Sequence, residues 1–374
     1  MSDLEIPLTD NYAIFRLPEE RSCTLMGLQH GNPCVVRSVA ELSGREGFVM
    51  APFAPDEASP ILLMEPDHVH TFLPPTTVDE ANGDWHDEPD YAKERYHTDF
   101  ANFHAQIMDG KFQKLVLSRS LRITFNDVVK PLELFFKACN LYPHQFIALI
   151  SFKQAGNWLM ATPEVLLQGD GSQWQTMALA GTQKLSQGPD GARDLQSVKW
   201  SEKNLIEQQY VTTYITEILE RYSDDVSRKG PYTTMAAQLL HLRTDFHFRL
   251  HDTSHLGDLL NDLFPTPAVC GVPKEPARRF ILQNESVDRK YYSGFCGPLS
   301  PKGPTHLFVS LRCMQLSSHQ ATLYAGGGLL RDSDEVSEWN ETEAKLLTMK
   351  RLFDLPAGPA HQVANALGKA TDTP

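Results

Sequence analysis

Between Ala325 and Met349 the chain reads AGGGLLRDSDEVSEWNETEAKLLTM, three consecutive glycines followed by an acid-rich run. Gly326, Gly327 and Gly328 leave a bare main chain that a ligand can approach where any side chain would stand in the way. A helix is predicted to start at Ser333 or Asp334, after which Glu335, Glu338 and Glu341 recur at three-residue steps. On a helix these carboxylates lie near one another along one side. The row then continues from Glu338 through Glu341 and Lys345 to Met349 and Leu352, and acids aligned with an apolar row tend to point inward. Inward-facing acids need a partner. A hard divalent cation such as Mg²⁺ takes carboxylate oxygens and is the natural candidate. The plainer account is a solvated helix start whose acids complement the helix dipole, with Val336 and Leu347 giving the opposite side an apolar claim of its own.

The net charge of −13 over 374 residues excludes wholesale nucleic-acid binding, since no basic stripe offsets it. It also means that an anionic substrate would need local Lys or Arg, or a bridging metal, to overcome the wider field. Hydrophobic residues at 41% and charged residues at 22% fit a soluble globular protein. The start MSDLEIPLTDNYAIF lacks the basic and apolar regions of a signal peptide. The longest apolar runs, such as FIALISF (Phe146–Phe152), suit a buried strand and are far too short for a membrane span. Cys23, Cys34, Cys139, Cys270, Cys296 and Cys313 form no CxxC pair, which argues against a zinc ribbon or disulfide framework and suits a reducing cytoplasm.

There is no internal repeat. The stretch from Pro74 to Pro89 has linker composition and separates an N-terminal portion, with strand candidates in CVVRS, EGFVMAPF and PILLME, from a helix beginning near Pro89 and stopping at Gly110. KLVLSRSLRITF follows as a strand, then the helix PLELFFKACNLY and strands at QFIALISF, NWLMAT and WQTMALAGT. A long helix is predicted from about Ser201 to Tyr222, with late strands at HLFVSLRCMQL and ATLYAGGG. Strands and helices thus mix without the regular alternation of a doubly wound sheet. Residues 356–374 lack a core pattern and read as a loose tail.

Several residues could carry chemistry. On an alternating strand Lys114, Val116 and Ser118 share one face, and Leu115, Leu117 and Arg119 the other. A lysine buried in a strand can lose enough solvation to give up its proton and act as a base; the alternative is an edge-strand lysine that discourages aggregation. Glu164, in ATPEVLL, follows an apolar strand ended by Pro163. A carboxyl in such a setting can hold its proton to neutral pH and donate it, although a simple turn acid fits as well. Glu207, in EKNLIEQQYV, could complete a metal site with the C-terminal acids or be an exposed helical residue. Ala180, Gly181 and Thr182 form a strand end small enough for close ligand approach. Arg312 is a planar cation among apolar neighbours, suited to a carboxylate or to a structural ion pair. His247, His251 and His255 have metal-like spacing, but HLRTDFHFRL alternates as a strand and Asp252 or Thr253 would cap the next helix, so they should not share a face. The glycine triplet is no P-loop, because no Gly-Lys-Ser/Thr follows it, and no GxSxG occurs.

Taken together, KLVLSR, ATPEVLL, ALAGT, EKNLIEQ, PTPAVCGVP, YYSGFCGP, VSLRC and AGGGLLRDSDEVSEWNET strongly resemble the chorismate-utilising enzymes, in the order and spacing of the isochorismate synthase branch. The resemblance runs from about residue 100 to residue 352, with a weaker N-terminal half before it. It implies a single large α+β domain spanning 1–355, with two antiparallel sheets packed together and flanked by helices. It also implies that Lys114 is the base activating water for attack at C2 of chorismate, and Glu164 the acid protonating the departing C4 hydroxyl. Mg²⁺ would be held by Glu207 and Glu341, with Glu338 beside them, and would meet the ring carboxylate. Ala180, Gly181, Thr182, Arg312 and the backbone at Gly327 and Gly328 would hold substrate.

By the same comparison Lys114 and Ala180 favour water over ammonia as nucleophile, because the aminating relatives generally lack the first and often carry a lysine at the second. No glutaminase subunit is expected, nor a nucleic-acid or membrane partner; the protein would be a cytoplasmic monomer or homodimer. Menaquinone biosynthesis is the first expectation for its product and a catecholate siderophore the second. Salicylate synthase, which goes on to eliminate pyruvate, is the nearest alternative, and a silent chorismate-binding protein a more distant one. Two positions depart from the family pattern: Phe264 stands where many relatives have His, and Asn204 where several have a further Glu.

Overall fold

Strand Leu239–Arg249 shows the period that dominates this chain: Leu240, Leu242, Phe246 and Phe248 are buried, while His247 and Arg249 face water. Such alternation builds a sheet with one covered face. In strands such as Phe146–Phe152 both faces are covered and the alternation disappears. The computed structural model describes residues 6–75, 85–87, 91–184, 195, 198–236, 239–250 and 252–354.

The elements run in the order β1 (Asn11–Arg16), β2 (Cys23–Leu28), β3 (Cys34–Val36), β4 (Gly47–Ala51), β5 (Ile61–Met64), β6 (His68–Phe72), β7 (Trp85–Asp87), α1 (Tyr91–Met108) and β8 (Lys114–Phe125). Next come α2 (Pro131–Leu141), β9 (Phe146–Phe152), β10 (Gly156–Thr162), β11 (Val165–Asp170), β12 (Gln173–Lys184), α3 (Glu202–Tyr222), β13 (Val226–Ala236) and β14 (Leu239–Arg249). The chain continues with α4 (Leu256–Leu263), β15 (Gly271–Val272), α5 (Lys274–Asn284), β16 (Phe295–Leu299), β17 (Thr305–Val309), β18 (Cys313–Ser317), β19 (Gln320–Leu329) and α6 (Glu335–Lys350).

These strands form two antiparallel sheets. The first has the order β15-β8-β19-β18-β10-β9-β1-β2-β6, with β7 also on β8; the second has β13-β14-β12-β11-β17-β16-β4-β5-β3. They pack face to face through Phe15, Phe146, Ile150 and Met160 of the first and Phe48, Met50, Cys296 and Phe308 of the second. Phe146 and Phe308 stack with centroids 4.1 Å apart, pinning the centre of this layer. Outside the first sheet Leu134 and Phe135 of α2 and Leu346 and Met349 of α6 cover Ile147 and Leu149. Outside the second, Val211 and Ile215 of α3 and Leu259 and Leu263 of α4 cover Ala178 and Phe246. The expected α+β architecture of two packed antiparallel sheets with flanking helices is therefore present.

FIALISF is continuously apolar because Phe146, Ala148 and Ile150 enter the inter-sheet layer while Ile147 and Leu149 meet the helices. The same two-sided burial hides β1 from any alternation test, and β1, β2 and β6 join the N-terminal strands expected from sequence. Of the linker-like stretch, Trp85–Asp87 pairs with β8; residues 76–84 and 88–90, like the expected tail, lie outside the described residues. The helix expected to be capped by Asp252 or Thr253 begins later, at Leu256 with His255 as its N-cap, because Asp252 instead accepts from the Ser254 backbone N–H and closes a turn. All six cysteines are free, and no helix among the described residues is long and apolar enough to cross a membrane.

Two of the places where the chain passes from one sheet to the other are neighbours. Residues 162–165 join β10 to β11, and residues 309–313 join β17 to β18. The crossings are tied together: Thr162 Oγ1 donates to Val309 O at 2.7 Å, Val309 N to Glu164 O at 3.0 Å, and Ala161 N to Arg312 O at 3.0 Å. Glu164 and Arg312 are thereby fixed side by side where the sheets part. Phe308→Ala should lower the unfolding free energy by about 3–5 kcal/mol, since it empties a ring-sized space between the sheets. Chemical denaturation would measure it, and a loss below about 1 kcal/mol would mean that the layer is not held there.

Candidate active site

Lys114 opens β8, flanked by β19 and β15, so it is no edge lysine. Leu115 and Leu117 turn into an apolar cluster with Phe103 of α1 and Ile281 of α5, which sends Lys114 and Val116 to the other face. The lysine is 0% exposed. Its Nζ lies 2.9 Å from Glu207 Oε1 but off the hydrogen-bonding direction, so the contact is ionic and the ammonium has no aligned acceptor among the described residues. Glu207 sits one helical turn before Val211 and two before Ile215 on α3, and that buried row carries the carboxylate inward.

Gly328 makes this pair possible. A Cβ there would stand 2.2 Å from Glu207 Oε1 and 2.7 Å from Lys114 Cε. At Gly327 a Cβ would come within 3.1 Å of Glu338 Oε2. The glycine triplet lies inside β19, and the space it leaves at Gly327 and Gly328 is taken by the chain's own acids and lysine stem.

Helix α6 starts with Asp334 as N-cap, its side chain accepting from Ser337 N. Glu335 pairs with His97 and Val336 is 67% exposed, so the apolar claim of that side is not realised at Val336. Glu338 and Glu341 face inward. Lys203 of α3 pairs with Glu338 Oε1, to which Ser333 Oγ also donates at 2.8 Å, whereas Oε2 is buried without a partner. Burial, followed by the neighbouring Glu341 charge, pushes the Glu338 carboxyl up to about 7. Burial works in the same direction on Glu341, but Lys345, Lys203 and a hydrogen bond from Thr182 outweigh it and hold this carboxyl below its ordinary range. Lys345 Nζ donates to Glu341 Oε1 at 2.6 Å and to Gly326 O at 2.8 Å.

Glu164 is 2% exposed. Burial raises its pKa from 4.5 to about 8 against the opposing pull of Lys114, Arg312 and Lys345, which leaves it protonated at neutral pH. Arg312, in the left-handed region at φ +47°, donates through one terminal nitrogen to His241 Nε2 at 3.2 Å. On the far side of the ring His241 Nδ1 is 2.9 Å from Gly181 O. Burial, then Arg312 and Lys345, lowers the His241 pKa to about 3, so the ring is neutral, with Nδ1–H donating and Nε2 accepting. Gly181 occupies a bulge at φ +66° between Ala180 and Thr182. Gln208 braces the bulge, accepting from Ala180 N at 2.9 Å and donating to Ala178 O at 3.1 Å.

These groups surround one cavity. Glu164, Ala180, Gly181, Thr182, Glu207, Arg312 and Gly328 line it, together with His241, Tyr292 and Lys345. Lys114 stands behind Glu207 and Gly328; Gly327, Glu338 and Glu341 form the adjoining acid cluster. His241, Tyr292 and Lys345 received no role from the sequence. Lys345 was readable as the residue four beyond Glu341, whereas His241 was obscured by the more suggestive spacing of His247, His251 and His255. Of those three, His247 and His255 are exposed and His251 lies outside the described residues. Phe264 packs against Phe295 in the apolar core, with centroids 4.9 Å apart, and Asn204 lies over Gly181.

The donor chemistry around Glu338 fits a hard divalent cation, since three carboxylates adjoin and one buried oxygen lacks a partner. Their present arrangement is not a ligand set: among the described residues no three His, Cys, Asp or Glu side chains converge as one, and each glutamate faces its own lysine.

The raised pKa of Glu164 has a consequence for stability. Below about pH 4.5 the group is protonated folded or unfolded and contributes nothing. As pH rises toward 8 only the unfolded chain ionises, so the native state loses stability across that window. Glu164→Gln should therefore gain about 2–4 kcal/mol over the wild type at pH 8 relative to pH 4. Denaturation at both pH values checks this, and a pH-independent difference would contradict it.

The sequence model described as "Chorismate binding enzyme" matches residues 65–354. Isochorismate synthase EntC of Escherichia coli K12 is 31% identical over 246 residues, 65% of this chain, and the match spans only 62% of that relative's length. Isochorismate synthase DhbC of Bacillus subtilis is 31% identical over 281 residues, covering 73% of this chain and 71% of its own. In three dimensions a putative 2,3-dihydroxybenzoate-specific isochorismate synthase, DhbC from Bacillus anthracis, superposes with a TM-score of 0.80 at 24% identity, over 94% of this chain and 98% of that one. That likeness establishes the fold. With the family model matching well over half its length, the chain belongs to the chorismate-binding enzymes.

Proposed function

We propose that this chain is a Mg²⁺-dependent isochorismate synthase, converting chorismate reversibly to isochorismate. The observation that carries the proposal is the pairing of a fully buried amine, Lys114, with a buried carboxyl, Glu164, that keeps its proton to about pH 8. The reaction needs both. Water is a poor nucleophile and hydroxide a poor leaving group. Lys114, in its amine form, takes a proton from the water attacking C2, the ring double bond shifts, and the C4–O bond breaks as Glu164 delivers its proton to the departing hydroxyl. The net change is the loss of one hydroxyl and the gain of another, with the proton relay reset through solvent.

Arg312 and Lys345 supply the positive charge that a dicarboxylate requires inside a protein of net charge −13. Neutral His241 holds the Arg312 fork in place through the hydrogen bond between them, and its own orientation is fixed by Gly181 O. Glu207 and Glu341, with Glu338 beside them, would hold Mg²⁺, which when bound supplies charge neutralisation for the ring carboxylate. Menaquinone biosynthesis is the first-choice destination of the product.

Incubation of the protein with chorismate, with and without Mg²⁺, followed by chromatography and a parallel pyruvate assay, tests the proposal. Mg²⁺-dependent isochorismate with little pyruvate is expected. Stoichiometric salicylate and pyruvate would move the chain to the lyase branch, and no turnover would overturn the catalytic assignment. Lys114→Ala should lower turnover by a factor on the order of 10²–10⁴, the usual contribution of a general base, while chorismate still binds. Loss of binding with no chemical defect would remove Lys114 from that role. Glu341→Ala should flatten the Mg²⁺ dependence of the rate, and an unchanged metal titration would strike it from the ligands.

A further inference from the structure

Each acid of the cluster has its own lysine: Glu207 faces Lys114, Glu338 faces Lys203 and Glu341 faces Lys345. A divalent cation added beside Glu338 with the Lys203 ammonium in place would set like charges together in a poorly solvated space. One ammonium must therefore give way.

The three lysines are not equally free to do so. Lys114 is fully buried, with no water to receive it. Lys345 is tied to Gly326 O as well as to Glu341. Lys203 is the most exposed of the three, at 23% of its side chain, and among the described residues its side chain has one acceptor, Glu338 Oε1. Its partner is also the carboxylate with an oxygen to spare: Glu338 is buried, and its Oε2 has no partner. Lys203 thus sits on the same carboxylate as the buried oxygen Glu338 Oε2, which lacks a partner among the described residues.

We propose that Lys203 is an internal counter-ion that occupies the divalent cation's place at Glu338 and is the group displaced toward solvent when the cation binds. It keeps the buried acid in position in the metal-free protein and weakens metal binding by competing for the same carboxylate. The proposal rests on the divalent-cation reading above, and it concerns binding of the metal alone.

Calorimetric titration of Mg²⁺ into the full-length protein without chorismate tests it. Lys203→Met and Lys203→Gln should each bind Mg²⁺ roughly tenfold or more tightly than the wild type, the factor that corresponds to about 1.4 kcal/mol of lost competition. Lys203→Arg, which keeps the charge, should stay near the wild-type affinity. Unchanged or weaker binding in both neutral variants, with folding verified by thermal melting, would overturn the proposal, as would an equal gain in Lys203→Arg. Failure of the functional reading is distinguished by the wild-type product assay: Mg²⁺-dependent turnover with no gain in the neutral variants removes only the role of Lys203.

Discussion

The buried contact between Lys114 and Glu207 is the constraint on which the site depends. Removing one member of a buried pair typically costs about 3–5 kcal/mol, because the other charge is left uncompensated. Bringing them together requires a bare main chain at Gly328, the β8–β19 register that sets Gly328 opposite Val116, and a helix α3 anchored on the second sheet by Val211 and Ile215. Three elements distant in sequence are thereby fixed by one ionic contact and by the absence of one methyl group.

Glu164, the proposed acid, is placed by a different device. Glu164 and Arg312 belong to the two neighbouring crossings between sheets, whose backbones hydrogen-bond to each other. A crossing is where the inter-sheet apolar layer ends and a cavity can open, so the carboxyl there is desolvated enough to keep its proton while Arg312 remains available to an anion. Lys114 and Glu164, the proposed base and acid, are held by separate parts of the fold, which lets their environments differ. For the proposed dianionic substrate of an acidic protein, Arg312, hydrogen-bonded to neutral His241, gives the cavity its positive charge, while Glu338 and Glu341 are matched by Lys203 and Lys345.

Much of this was legible in the sequence, and the illegible parts share a cause. The face assignment of Lys114 and Val116 followed from strand alternation, and the inward row Glu338, Glu341, Lys345, Met349 followed from helical spacing. Glu207 could not be told from a surface acid until the row Val211, Ile215, Ile218 was seen to be its buried face. The glycines were readable as bare backbone, but their neighbours come from α3 and α6 and carry no local signal. His241 gave no sign because its partners, Gly181 O and Arg312, lie 60 and 71 residues away along the chain. Strand β1 was missed for the opposite reason: covered on both faces, it shows no alternation.

The central claim is that a water molecule, activated from one side of the ring, replaces a hydroxyl expelled with help from the other. Conversion of chorismate in ¹⁸O-labelled water, followed by mass analysis of the separated products, addresses it most directly. One ¹⁸O in the C2 hydroxyl of isochorismate, with label entering the C4 hydroxyl of chorismate as the reaction reverses, is the predicted result. Unlabelled isochorismate formed at the full rate would mean that the hydroxyl moves within the substrate, and would contradict the account.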